Sequence, residues 1–281
     1  MPHPATDTTP RPAPPAWSVA LLPIAVFASS AVLLLPFRLL IAGYVVLGLS
    51  VGLAWLTDRM GGTSRLGPDM TSIAVGLAIV SSVSVAADIS WGNYFLLGAI
   101  FALSAAAPYV LSRWVFRDRA VCYPWQGTWP WSPIQWGYLG LVLVAGWLLL
   151  PFYFITTGVY MNWPAVHEWH EILRLFIGVN AVGTWDELFF ICAVLAIFVR
   201  HIPIWQANIL QTVVFVSFLW ELGYQSWGPV LTIPFALLQG WLFTRTKSLA
   251  YVLTVHLLFD LIVFLVIVHA RNDGAVPIFL L

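Results

Sequence analysis

All the glutamates of this chain, Glu168, Glu171, Glu187 and Glu221, fall between residues 168 and 221, and Asp186 and Asp260 join them in apolar stretches. A carboxylate inside an apolar span is costly unless it is paired or watered, so such residues generally face a cavity and mark function. In GTWDELFFI, residues 183–191, Asp186 and Glu187 are neighbours that project about 100° apart on a helix, so one can face a cavity while the other orients a neighbouring group. In SLAYVLTVHLLFDLI, residues 248–262, His256 and Asp260 are four apart and share one helix face. Carboxylates and an imidazole on converging helices suit general acid–base activation of a water molecule. With Asp186 beside them, Glu187, Glu221 at the end of FVSFLWELG, and His256 also have the composition of a divalent-metal site for zinc or iron, and the sequence leaves the presence of a metal open.

The elements that must position these groups are membrane helices. Charged residues are 9% of the 281, apolar residues 60%, and 12 basic residues balance 12 acidic ones. A soluble domain carries about a quarter charged residues, so a water-soluble globule is excluded. A single lysine, Lys247, and zero net charge leave no basic patch for nucleic acid. Cys122 and Cys192 form neither a disulfide framework nor a Cys-based metal motif. A spanning helix needs roughly 20 apolar residues. Runs of that kind lie at 17–36, 38–57, 70–90, 92–114, 134–156, 178–199, 203–223, 228–245 and 248–269.

The expected fold is therefore all-α, a polytopic transmembrane bundle of about 8–9 spans. It divides into a Pro-rich disordered tail at 1–16, N-terminal transmembrane helices at 17–156 and a C-terminal helical core at 157–281. The stretch 157–177 is too polar in its first half to span and reads as an interfacial helix leading into 178–199. Arginine and lysine cluster at 58–69, at 113–119, at Arg200 and at 245–247. The positive-inside rule puts these loops in the cytoplasm, with the N-terminus on the same side of a bacterial inner membrane. His167 and His170, three apart in VHEWHEIL, suit a metal pair, a pH-sensing gate or, more ordinarily, a solvated interfacial face.

From Trp185 to Asp260 the chain resembles the CAAX protease and bacteriocin-processing family of intramembrane proteases, which includes the type II CAAX prenyl endopeptidases. The segment FALLQGWLFTRTKSLAYVLTVHLLFD carries that family's last two elements, with Gly240, Arg245, Thr246, Ser248 and Leu249 followed by His256 and Asp260. The first two elements depart from the family pattern. Asp186-Glu187 stands for a glutamate pair, Ile191 occupies an arginine position, and Glu221 and Ser217 stand for a histidine and a phenylalanine. The resemblance implies a peptide-bond hydrolase in which Asp186 and the residue at 221 position the attacking water. His256 and Asp260 would complete an oxyanion-stabilising or metal-like constellation. Within this scheme Glu187 or Glu221 serves as base, and the implied partners are the lipid bilayer and a membrane-anchored or lipidated protein. Two alternatives stand beside it. One is a catalytically silent member acting as a binding, immunity or assembly partner. The other is a metal-dependent enzyme acting on a lipid or pigment.

Overall fold

A computed structural model describes residues 18–125, 130–272 and 274–280. The expected tail at 1–16 lies outside these residues. Among them the chain is all-helical, with nine rods joined by short connections: α1 (Leu21–Leu34), α2 (Leu40–Arg59), α3 (Leu66–Ser81), α4 (Trp91–Val115), α5 (Pro133–Thr157), α6 (Trp169–His201), α7 (Ile204–Leu222), α8 (Pro229–Thr246) and α9 (Leu249–Arg271). By length and composition five of them, α2, α4, α5, α6 and α9, suffice to cross a membrane, and α1 and α3 are shorter apolar helices. Their sides carry little amphipathic contrast because both the bundle interior and the hydrocarbon outside are apolar. Ile41 and Ile134 are more than four-fifths exposed, as residues that face acyl chains rather than water would be.

Local signals set the helix ends. Ser132 and Gln135 form a reciprocal capping box at the start of α5, Pro133 occupies its first turn, and Gly158 ends it at φ 70°. Asp58, in the last turn of α2, caps α3, its carboxylate accepting from the backbone N–H groups of Leu66 (3.1 Å) and Gly67 (2.8 Å). Two expected boundaries move. The apolar run at 70–90 is helical only to Ser81, and residues 82–90 form a loop whose short Ser and Asp side chains bond to the local backbone. The stretch expected as an interfacial helix leading into the next span becomes helical at Trp169 and runs straight into it, as α6 is unbroken from Trp169 to His201. Glu168 and Glu171 form a capping box that starts this helix well ahead of the apolar segment.

The cation-bearing loops meet at one end of the bundle. Arg200 pairs with Asp118 (2.7 Å) and Asp69 (3.3 Å), Arg65 lies 3.6 Å from Asp118, and His201 Nε2 lies 2.8 Å from Asp69. The backbone N–H of Leu249 donates to Pro124 O at 2.9 Å, which adds the α8–α9 turn to the same end. Desolvation alone would push the Asp118 carboxyl up. The hydrogen bonds from Arg200 and the Arg119 N–H, with the charges of Arg200 and Arg65, outweigh it and hold the group below the ordinary carboxylate value. A carboxyl lowered in this way stabilises the fold above its unfolded pKa, and that contribution disappears as pH falls through the folded value. Asp118→Asn is therefore expected to lower the thermal midpoint at pH 7, and the difference from the unmodified protein is expected to shrink steadily as pH falls below the ordinary carboxylate value, as read by melting in detergent.

Candidate functional site

The carboxylates and the imidazole come together where α6 crosses α9. From Glu187 to Leu195 α6 widens into a π-helix, with the acidic pair at its entrance. Such wide turns are rare and frequently occur at functional sites. His256 Nδ1 lies 2.7 Å from Glu187 Oε1, so the carboxylate accepts the Nδ1–H and leaves Nε2 at the opposite edge of the ring. Asp186 Oδ2 and Asp260 Oδ1 each lie 3.8 Å from Nε2. The adjacent acids thus approach opposite nitrogens of one imidazole.

Three features hold this arrangement. Gln239 on α8 donates to Glu187 Oε1 at 2.7 Å and to Val252 O at 3.1 Å, tying α6, α8 and α9 together. Phe215 and Phe235 flank the imidazole at 6.1 and 5.0 Å between ring centroids, and Phe235 stacks on Phe259 at 4.9 Å. Gly183, one turn before the acidic pair, supplies the close approach. A methyl group there would collide with the Asp260 carboxylate and meet the His256 ring at 3.3 Å.

A cavity of about 190 Å³ opens beside the cluster, away from the cationic end. Asp186, His256 and Asp260 contribute to its wall, as do Tyr224 and Thr232, and the remainder is mostly apolar. Glu187 is fully buried and does not line this space, so it acts on the cavity only through His256. The chemical capability follows directly. An imidazole with its tautomer fixed from behind and two carboxyls beside its exposed nitrogen can hold and deprotonate a water molecule in an apolar pocket.

Glu221 departs from the expected constellation. It does not approach within 4 Å of His256, and its Oε1 instead pairs with Arg38 at 3.2 Å and accepts from the Val85 N–H at 3.3 Å. Arg38, at φ 51° in the α1–α2 turn, also donates to Ser81 O and Val83 O. Glu221 thus clamps the 82–90 loop, whose Val85, Ala87 and Ile89 form part of the cavity wall. Glu221→Gln keeps an oxygen for Val85 but loses the charge opposite Arg38. The expected result is about 1 kcal/mol of lost stability, on the scale of a partly solvated ion pair. Turnover by the His256 centre should be nearly unchanged, checked by melting and by peptide cleavage on one preparation.

The candidate metal ligands Glu187, Glu221 and His256 do not come together, and Glu221 pairs with Arg38 instead. Among the described residues no group of three or more His, Cys, Asp or Glu is placed to hold a metal ion. His167 Nδ1 bonds Asn272 Oδ1 at 2.9 Å, and the His170 ring packs edge-on to Trp169. Ile191, at the family's arginine position, is fully buried. Arg174 stacks on Trp91, 4.5 Å from the ring centroid. Gln239 is the site residue that sequence reasoning missed. Its signal was an amide adjoining a glycine in the apolar run FALLQG.

Fold and site together define a polytopic helical membrane protein with a buried carboxylate–imidazole centre facing an apolar cavity. Residues 168–262 match the family model described as type II CAAX prenyl endopeptidase Rce1-like, in agreement with the resemblance carried by the motifs and consistent with membership of the CAAX protease and bacteriocin-processing family. Neither the curated proteins nor the solved structures include a match to the chain.

Proposed function

We propose that the protein is an intramembrane endopeptidase that hydrolyses a peptide bond of a membrane-anchored or lipidated protein. The observation that carries this reading is the His256 imidazole, held at Nδ1 by the buried Glu187 while Nε2 faces the cavity between Asp186 and Asp260. Water bound at Nε2 gives up a proton to His256 as its oxygen bonds to the substrate carbonyl carbon. A protonated carboxyl of Asp186 or Asp260 then supplies a hydrogen bond to the developing oxyanion and a proton to the departing amine. Glu187 keeps the imidazole in the required tautomer and balances its positive charge. No step in this scheme needs Glu221.

The apolar wall of the cavity suits a lipid-modified segment entering from the bilayer. Under the positive-inside rule the cationic end and the N-terminus are cytoplasmic in a bacterial inner membrane, which places the cavity nearer the outer face. The silent-partner alternative is favoured by a specific observation: the family's arginine is Ile191, and Glu221 at its second-motif position is engaged with Arg38. Purified protein in proteoliposomes, offered prenylated and acylated reporter peptides, separates the two readings. Cleavage with release of a peptide fragment supports the peptidase, and binding without cleavage by folded protein supports the silent partner.

A further inference from the structure

Outside the cavity lining, several buried polar atoms of α6, α7 and α8 have no hydrogen-bond partner. They are Gln211 Oε1 and Nε2, Asn208 Oδ1, Thr212 Oγ1, Gln239 Oε1 and Glu187 Oε2. Asn208, Gln211 and Thr212 are spaced i, i+3 and i+4, so they form one stripe on the buried face of α7. This stripe adjoins α8: Asn208 Nδ2 donates to Leu237 O at 2.8 Å, and its oxygen lies against Gly240, where an added methyl would collide with it. Gln239, next to that glycine, bonds Glu187.

The polar groups therefore form a seam between α6, α7 and α8. It runs from the start of α7, beside the Arg200 and His201 cluster, to the back of the carboxylate–imidazole pair. At the next turn Phe215 stacks on Phe190 at 4.6 Å and borders the imidazole, so an aromatic layer lies between the seam and the cavity.

Hydrocarbon offers no hydrogen bonds, and a bundle that left so many amide, hydroxyl and carboxyl atoms unsatisfied in one place would be heavily destabilised. Ordered water is the occupant this chemistry fits, because one buried water typically makes about three hydrogen bonds to polar groups otherwise without partners. A packed apolar segment would satisfy none of them. We infer that the α6–α7–α8 seam binds a file of ordered water molecules joining Glu187 Oε2 to the aqueous phase at the cationic end. Through it the Glu187–His256 pair exchanges protons with that side independently of whatever fills the cavity. Asn208, Gln211 and Thr212 are positioning residues for this water and do not touch the cavity.

The inference stands whether or not the cavity hosts peptide hydrolysis, and its test needs no turnover. Radiolysis of bound water generates hydroxyl radicals in place, so a buried ring beside ordered water is oxidised although bulk solvent cannot reach it. In the full-length protein in detergent, Phe215 is expected to be oxidised well above Phe27, which is equally buried in α1. Gln211→Met and Thr212→Val, both close to isosteric, are expected to reduce Phe215 oxidation several-fold while leaving exposed residues such as Trp169 unchanged. Oxidation of Phe215 no greater than that of Phe27, or oxidation undiminished in the variants, would overturn the inference. Should Gln211→Met fail to fold, the wild-type comparison and Thr212→Val still decide it.

Discussion

Replacing His256 with alanine is expected to reduce peptide cleavage by about 10²–10⁴-fold, the usual contribution of a positioned general base. His256 is the one group in the cluster that touches both the buried carboxylate and the two carboxyls on the cavity wall. Glu187→Gln gives a graded comparison. The amide retains an oxygen acceptor for Nδ1–H but loses the charge that balances an imidazolium, so turnover should fall by less than in His256→Ala, with substrate affinity largely preserved. Initial rates on a lipidated reporter peptide in proteoliposomes, with melting as a control for folding, check both. Cleavage at the same rate in all three proteins would show that His256 is not the base, and no cleavage by any of them, with the reporter still bound, would favour the silent-partner reading.

Gly183→Ala is expected to damage stability and activity together. In an ordinary helix the change would stabilise by about 0.5–1 kcal/mol, because glycine loses the most conformational freedom on folding. Here the new methyl would be driven into the Asp260 carboxylate and against the His256 ring, with Gly183 itself buried. Overpacking of a dense interior costs about 1–3 kcal/mol, so a net loss of roughly 1–2 kcal/mol is the expected outcome. The α6–α9 spacing sets the position of Asp260 relative to Nε2, and a shift of a fraction of an ångström there should lower turnover more than it raises KM. A variant as stable and as active as the parent would show that the two helices are not held at this distance.

The sequence pattern disclosed the helical membrane architecture because long apolar runs and their charged punctuation leave few other solutions. It also disclosed the i, i+4 relation of His256 and Asp260, which depends only on helix geometry. The partner of each ring nitrogen was not legible, because it depends on how α6 turns as it passes α9. The π-helical stretch from Glu187 onward alters that rotation, and no residue pattern in GTWDELFFI announces it. Glu221 was misplaced for a related reason. An acid at the end of an apolar helix looks catalytic until its distant partner is known, and Arg38 reaches it from the α1–α2 turn, far away in the chain. Gln239 went unnoticed because an isolated amide in an apolar helix carries no spacing rule that points to a carboxylate on another helix.

The 33-residue length of α6 has a mechanical consequence. At ~1.5 Å per residue it extends roughly 45–50 Å, well beyond the ~30 Å hydrocarbon layer. A rod so mismatched accommodates by tilting, by thickening the lipid around it, or by carrying its first turns out among the headgroups. Asp186 and Glu187 ride on this rod, whereas His256 rides on the 23-residue α9, whose length is closer to the layer's thickness. A change in acyl-chain length therefore loads the two helices unequally and acts as a shear across their crossing. Membrane thickness becomes a physical input to the alignment of the centre, alongside substrate.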